Sequence, residues 1–183
     1  ERRVGGSGSV PLLSLHEFHQ RFDHWRDTAT PEGEQPFLVI AIDDFDSLDP
    51  DSRVAVEAAA AGRFDTWIGD QAWLCEAGEG RFALFLPSAV SREEGRHVAE
   101  LLIDAVSHPI YLHELGRPIT CSIGIAAYPL DGAEIGSLLR RASSAANQAA
   151  TRGGNQWWLH TPRGEYSQAS PFRPSATDLR HIL

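Results

Sequence analysis

The chain has 183 residues, 42% of them hydrophobic and 22% charged, with a formal net charge of −9. That is the size and balance of one soluble globular domain with extensions, and no apolar run approaches the ~20 residues of a membrane helix. The excess of acid argues against a nucleic-acid duplex or an anionic lipid surface as partner, because both are held by neutralising cations. With Glu1 first and no methionine anywhere, the chain is expected to be a piece of a longer protein.

Residues 1–10 are Gly/Ser-rich and read as a flexible lead-in. From Ser14, "SLHEFHQRFDHWRD" puts Leu15, Phe18, Phe22 and Trp25 on one helical face, with Ser14 and Glu17 in capping-box spacing. "FLVIAI" (37–42) is a continuous apolar run, as in a strand buried on both faces. The acidic "DDFDSLDPD" follows, and Ser52 is the expected cap of the alanine-rich helix after it. "CEAGEGRFALFLP" (75–87) reads as strand, turn and strand. Two glycines flank an acid at its tip, where bare backbone could approach a polyphosphate and a carboxylate could hold magnesium.

A second amphipathic helix spans 91–108, with Ser91 and Glu94 in capping-box spacing. A central strand covers 119–129, a third helix 134–152, and Gly153-Gly154 stop that helix before the closing strand "NQWWLH". The order βαββαβαβ, with buried strands and crossover helices, predicts an α+β sandwich built on a mixed sheet. Residues 161–176 are Pro/Ser-rich and linker-like, and "SATDLRHIL" has the look of a helix beginning.

Several side chains invite functional readings that their surroundings weaken. Asp43, Asp44, Asp46, Asp49 and Asp51 lack the glycine and closing glutamate of a calcium loop, so a solvated acidic loop is expected. His16 and His19 stand three apart on a helix but have no third ligand in view. Ser122 lies in a strand without a paired histidine, so a packing role is expected. Cys75 and Cys121 fall in buried strands and read as reduced core residues of a cytoplasmic domain. Of Trp157 and Trp158, neighbours on one strand, one is expected inside and the other half exposed, where it could meet a partner.

The string "TCSIGIAAYPLDG…LLRRASSAANQA…GGNQWW" resembles the C-terminal half of the GGDEF family, the bacterial diguanylate cyclase domain. The 75–87 hairpin matches that family's signature turn, and "IAIDDFDSLD" its "IDIDxFKxIND" strand end. The resemblance spans roughly 11–161 and implies a central mixed, antiparallel-rich sheet flanked by helices, akin to nucleotidyl cyclases. Active members join two GTP molecules into cyclic di-GMP across a homodimer, using carboxylate-held magnesium.

Matching Phe82 to the phenylalanine of the signature turn sets Gly78-Glu79-Gly80-Arg81-Phe82 against Gly-Gly-Asp/Glu-Glu-Phe. The metal-binding acid then falls on Gly80, the next glutamate on Arg81, and Glu79 is displaced by one residue. The first metal-binding aspartate falls on Ala41, and Asp46 stands in place of a phosphate-binding lysine. A like charge there repels phosphate by roughly 4 kcal/mol at 4 Å and an effective dielectric of about 20. Asp49 falls on the guanine-reading asparagine and could still accept from guanine. The C-terminal phosphate lysine falls on Ala150 and the arginine on Gly154, while the inhibitory RxxD site reads Gly69-Asp70-Gln71-Ala72.

The resemblance therefore implies a degenerate GGDEF-like domain, not an enzyme, with no cofactor and no metal. Its expected role is that of a regulatory or dimerisation module in cyclic di-GMP signalling of the kind that controls biofilms or type IV pili. "SATDLRHIL" resembles the helix that opens an EAL phosphodiesterase domain, so 162–183 are expected to be a linker and the start of a following EAL-like domain. An alternative is a domain that binds GTP as an allosteric effector without turnover. A working cyclase is the third reading.

Overall fold

The computed structural model describes residues 12–107, 118–161 and 167–168. The expected linker at 1–10 lies outside these residues, as does the EAL-like start at 175–183. The first helix, α1 (Leu15–Thr28), begins where the capping box predicts: the Ser14 hydroxyl accepts from Glu17 N–H at 3.2 Å, and Glu17 Oε2 accepts from Ser14 N–H at 2.8 Å. Phe18 and Phe22 of its apolar face are buried, whereas Leu15 at the first turn is 38% exposed.

Strand β1 (Gln35–Ile42) is buried on both faces, as its unbroken apolar run requires. Leu38, Ile40 and Ile42 point to one core, Phe37 and Val39 to the other. Helix α2 (Pro50–Ile68) starts three residues earlier than the Ser52 cap implies. Asp49 is its cap, accepting from Ser52 N–H at 3.0 Å and from the Ser52 hydroxyl at 2.5 Å, with Pro50 in the first turn, where a missing N–H costs nothing. Strands β2 (Trp73–Gly78) and β3 (Arg81–Phe85) form the predicted hairpin. Helix α3 (Arg92–Ser107) follows, with Glu94 Oε1 accepting from Ser91 N–H at 3.3 Å and from Val90 N–H at 2.9 Å.

Strand β4 (Cys121–Tyr128) pairs antiparallel with β1 over its full length. Helix α4 (Ile135–Thr151) crosses over to β5 (Gln156–Leu159), which runs parallel to β4. Gly124 makes this crossover tight: a Cβ there would run into the backbone of Ala142 and Ala146, so the absence of a side chain lets α4 lie directly on the sheet. The alanine face of α4, with Ala142, Ala145, Ala146 and Ala149 fully buried, completes the contact.

Among the described residues the sheet has the order β2-β3-β1-β4-β5-β6, antiparallel apart from β4–β5, which is the mixed, antiparallel-rich sheet expected. The last member, β6 (Ser167–Gln168), lies in the segment read as linker. It pairs with Trp158 and Leu159, covering the edge that β5 would otherwise leave open. Helices α2 and α3 cover one face with Val56, Ala60, Phe64, Ala99, Leu102 and Val106. Helices α1 and α4 cover the other, where Phe22, Trp25, Phe85 and Tyr128 meet edge to face or tilted at 4.9–5.8 Å. Both tryptophans of β5 are buried, against the expectation of one exposed ring. Trp157 joins the α2/α3 core, and Trp158 lies under Ala145 and Ala149 with the Arg152 guanidinium 4.7 Å from its ring centre.

Candidate functional site

The signature hairpin sits beside the C-terminal end of β1, and its turn has two residues. Glu79 (φ 52°) and Gly80 (φ 71°) both lie in the left-handed region, the combination that matches the twist of a tight hairpin. Glu79 and Gly78 are exposed, while Gly80 is buried. Three neighbours hold Gly80. Its carbonyl accepts from Ile42 N–H at 2.9 Å, its N–H donates to Glu57 Oε1 at 2.6 Å, and a Cβ would fall 2.5 Å from the Phe45 ring. Arg81 is half-buried and donates to Asn147 on α4 at 3.0 Å; across the sheet it stands opposite Ala41. Phe82 is fully buried, its ring edge-on to Phe64 at 5.3 Å.

The loop from β1 to α2 places the aspartates one by one. Asp43 is the most engaged: Oδ1 accepts from the Ser122 hydroxyl at 2.6 Å, and Oδ2 from the Thr120 hydroxyl at 2.7 Å and Asn155 N–H at 2.9 Å. Ser122 is thus a fully buried donor to Asp43, in keeping with a structural role. Asp44 takes a left-handed conformation (φ 55°), which opens the 3-10 turn Phe45–Ser47. Asp46 is exposed, and its carbonyl accepts from Arg53 at 2.8 Å. The Asp49 carboxylate, assigned a guanine contact by resemblance, is occupied in capping α2, and both bonds to Ser52 hold it below the usual aspartate range. Asp43, Asp44, Leu48, Pro118 and Thr120 line a small cleft.

Of the two cation positions assigned by resemblance, Ala150 is exposed on α4, and Gly154 (φ 69°) packs on Asp43, where a Cβ would lie 2.7 Å from Oδ2. The stretch Gly69–Gln71 forms an exposed 3-10 turn, and Ala72 is buried. His16 is exposed and His19 half-buried. Among the described residues no three of His, Cys, Asp and Glu are grouped to hold a metal ion. At the hairpin, position 41 offers a methyl group, and the Glu57 carboxylate accepts from the Gly80 N–H. Burial pushes the Cys75 thiol up to about 12 and raises Cys121 further, so both stay protonated.

Two residues at the site escaped the sequence. Glu57 belongs to a helix face whose alanines gave no contrast, and Arg53 reads as an ordinary surface cation. Arg53 binds the carbonyls of Asp46 and Leu48 and stands 5.6 Å from the Phe45 ring centre, so it shapes the loop that borders the hairpin.

With this geometry established, comparison with known proteins is informative. Residues 56–156 match the family described as "Diguanylate cyclase, GGDEF domain". An EAL/GGDEF domain protein from M. capsulatus is 27% identical, with a TM-score of 0.66 over 82% of this chain and 100% of that one. The GGDEF domain of YfiN (TpbB) from Pseudomonas aeruginosa gives 22% identity and a TM-score of 0.74 over 86% of this chain and 95% of that one. The active GGEEF domain of a diguanylate cyclase from Vibrio cholerae gives 20% and 0.68, over 82% and 99%. Among curated proteins none matches.

These findings correct the expectation that the domain is not an enzyme, since the matching family is one of diguanylate cyclases and the same fold carries an active domain in Vibrio cholerae. The expectation came from counting ligands along the hairpin and the end of β1. It took no account of a carboxylate arriving from elsewhere, and Glu57 on α2 does reach the turn.

Proposed function

The chain belongs to the GGDEF family of diguanylate cyclase domains, and from that premise we propose that it is the regulatory module of a cyclic di-GMP signalling protein. Its output passes to an adjacent EAL domain in the parent chain, and two copies associate through it. The observation that carries this reading is the hairpin. Its tip is pinned by β1, α2 and Phe45 and presents Arg81 where the family places an acid, so the element is built to hold a position. Ala41 adds no carboxylate for a metal, and Asp46, Ala150 and Gly154 add no cation for a phosphate tail, which weakens the grip on magnesium-bound GTP relative to family members with the full set. The 27%-identical EAL/GGDEF protein supports the tandem context.

Among the described residues no helix is long and apolar enough to cross a membrane, and the proposed compartment is the cytoplasm. The protonated, unpaired thiols of Cys75 and Cys121 suit that compartment.

The test is made in the full-length parent. Arg81→Ala is expected to change the rate at which the EAL domain turns over cyclic di-GMP by about fivefold or more, the usual scale of coupling between sites. An unchanged rate, or a parent chain without an EAL domain, overturns the proposal.

A further inference from the structure

Gly80 is held almost entirely by parts of the molecule outside the hairpin. Its carbonyl is bonded to β1 through Ile42 N–H, and its N–H to α2 through Glu57 Oε1. The second bond, at 2.6 Å, is shorter than the ~2.9–3.0 Å of an ordinary amide bond, as expected where the acceptor carries charge. The open face of Gly80 is filled by the Phe45 ring, leaving no room for a side chain. Phe45 is in turn covered by the guanidinium of Arg53. Arg53 and Glu57 are four residues apart on α2 and so share a face one turn apart. One face of α2 thus meets the turn twice, through the Phe45 ring and directly through a carboxylate.

We propose that Glu57 is the positioning residue of the signature hairpin, the contact through which α2 sets where the turn stands. The contact has a geometric consequence. The partner of the Gly80 N–H is Glu57 Oε1, a side chain from outside the hairpin, so losing Glu57 costs that amide its bond. A shift or rotation of α2 must either carry the turn with it or break the bond at Gly80. The exposed Glu79 and the half-buried Arg81 flank Gly80, so both move with it. Helix α2 is thereby the lever by which packing changes elsewhere reach the hairpin. This rests on the reading that the hairpin is the working element of the domain, but the clamp itself can be measured independently of any output.

The experiment follows the Gly80 amide proton by NMR in the 183-residue chain. In Glu57→Ala its hydrogen exchange is expected to accelerate about tenfold or more, while amides in the middle of the β1–β4 ladder keep their protection. In Glu57→Gln the neutral amide oxygen is a weaker acceptor, so the Gly80 proton is expected to shift upfield with its protection largely kept. Glu57→Gln also decides the matter if Glu57→Ala does not fold. A Gly80 proton that resonates in Glu57→Gln as in the parent, or exchanges in folded Glu57→Ala as in the parent, overturns the proposal. Either result leaves the EAL-directed function standing, because neither reads that output.

Discussion

An aspartate lies just beyond each end of the antiparallel ladder of β1 and β4, and the two are held very differently. At the hairpin end, Asp43 accepts three hydrogen bonds, from Thr120, Ser122 and Asn155, and these tie the end of β1 to β4 and to the start of β5. At the far end, Asp131 is 1% exposed; Oδ2 accepts from Ala127 N–H at 2.8 Å, but Oδ1 accepts nothing and faces His160 Nε2 at 3.9 Å. A carboxylate with its lone pairs engaged stiffens a corner. Burial of the imidazole beside the other makes the stability of its corner depend on pH. The stiff corner borders the candidate site, and the responsive one lies at the opposite end of the sheet.

The largest effect should come from Asp43→Ala. It strips the acceptor from two hydroxyls and an amide, and Ser122 is fully buried, so a loss of about 3 kcal/mol or more in urea unfolding is expected. Asp131→Ala removes one good bond together with one uncompensated buried oxygen, so a loss of only about 1–2 kcal/mol is expected. Equal losses in the two variants would break the contrast between the corners.

Acid supplies the smallest and most selective probe. Burial holds the His160 imidazole below its usual value of 6.5; Arg141 and Arg92 act in the same direction and Asp131 opposes them. The unfolded chain then binds the proton more readily than the folded one. The contribution of neutral His160 is therefore complete well above pH 6.5 and is lost as pH falls below that value toward the lower folded pKa. Thermal melts between pH 7.5 and 5.5 should show a decline that His160→Gln flattens. Asp49 and Glu17, both lowered by hydrogen bonds to serine, act in a lower window. Their stabilisation is present above the ordinary values of 3.8 and 4.5 and is lost as pH falls below them. A decline between pH 7.5 and 5.5 that persists undiminished in His160→Gln would show that the far corner is not its source.

Much of the fold was legible because its signals are local. Ser14 and Glu17 meet across one turn of chain, so the start of α1 could be read from spacing alone. The run from Phe37 to Ile42 could only be a strand covered on both sides, and the GEG tip could only be a tight hairpin. At α2 the expected cap, Ser52, was wrong, and Asp49 takes that place. Pro50 favours Asp49 because it fits the first turn and cannot lie deeper in the helix. The burial of both tryptophans and the pairing of 167–168 could not be seen, since each depends on which segments lie beside β5.

The sequence by itself determined the order of the elements and the two-faced core, because capping, apolar periodicity and turn chemistry act between residues a few positions apart, and its motifs carried the resemblance to the family. Only the tertiary structure decided what surrounds the hairpin: the Glu57 carboxylate 23 residues from Gly80, the Phe45 ring against it, and the Asp43 corner joining residues 43, 120, 122 and 155. Those contacts depend on how α2 and β4 are rotated and placed against the sheet. Packing of the whole core sets that placement, and no short stretch of chain encodes it.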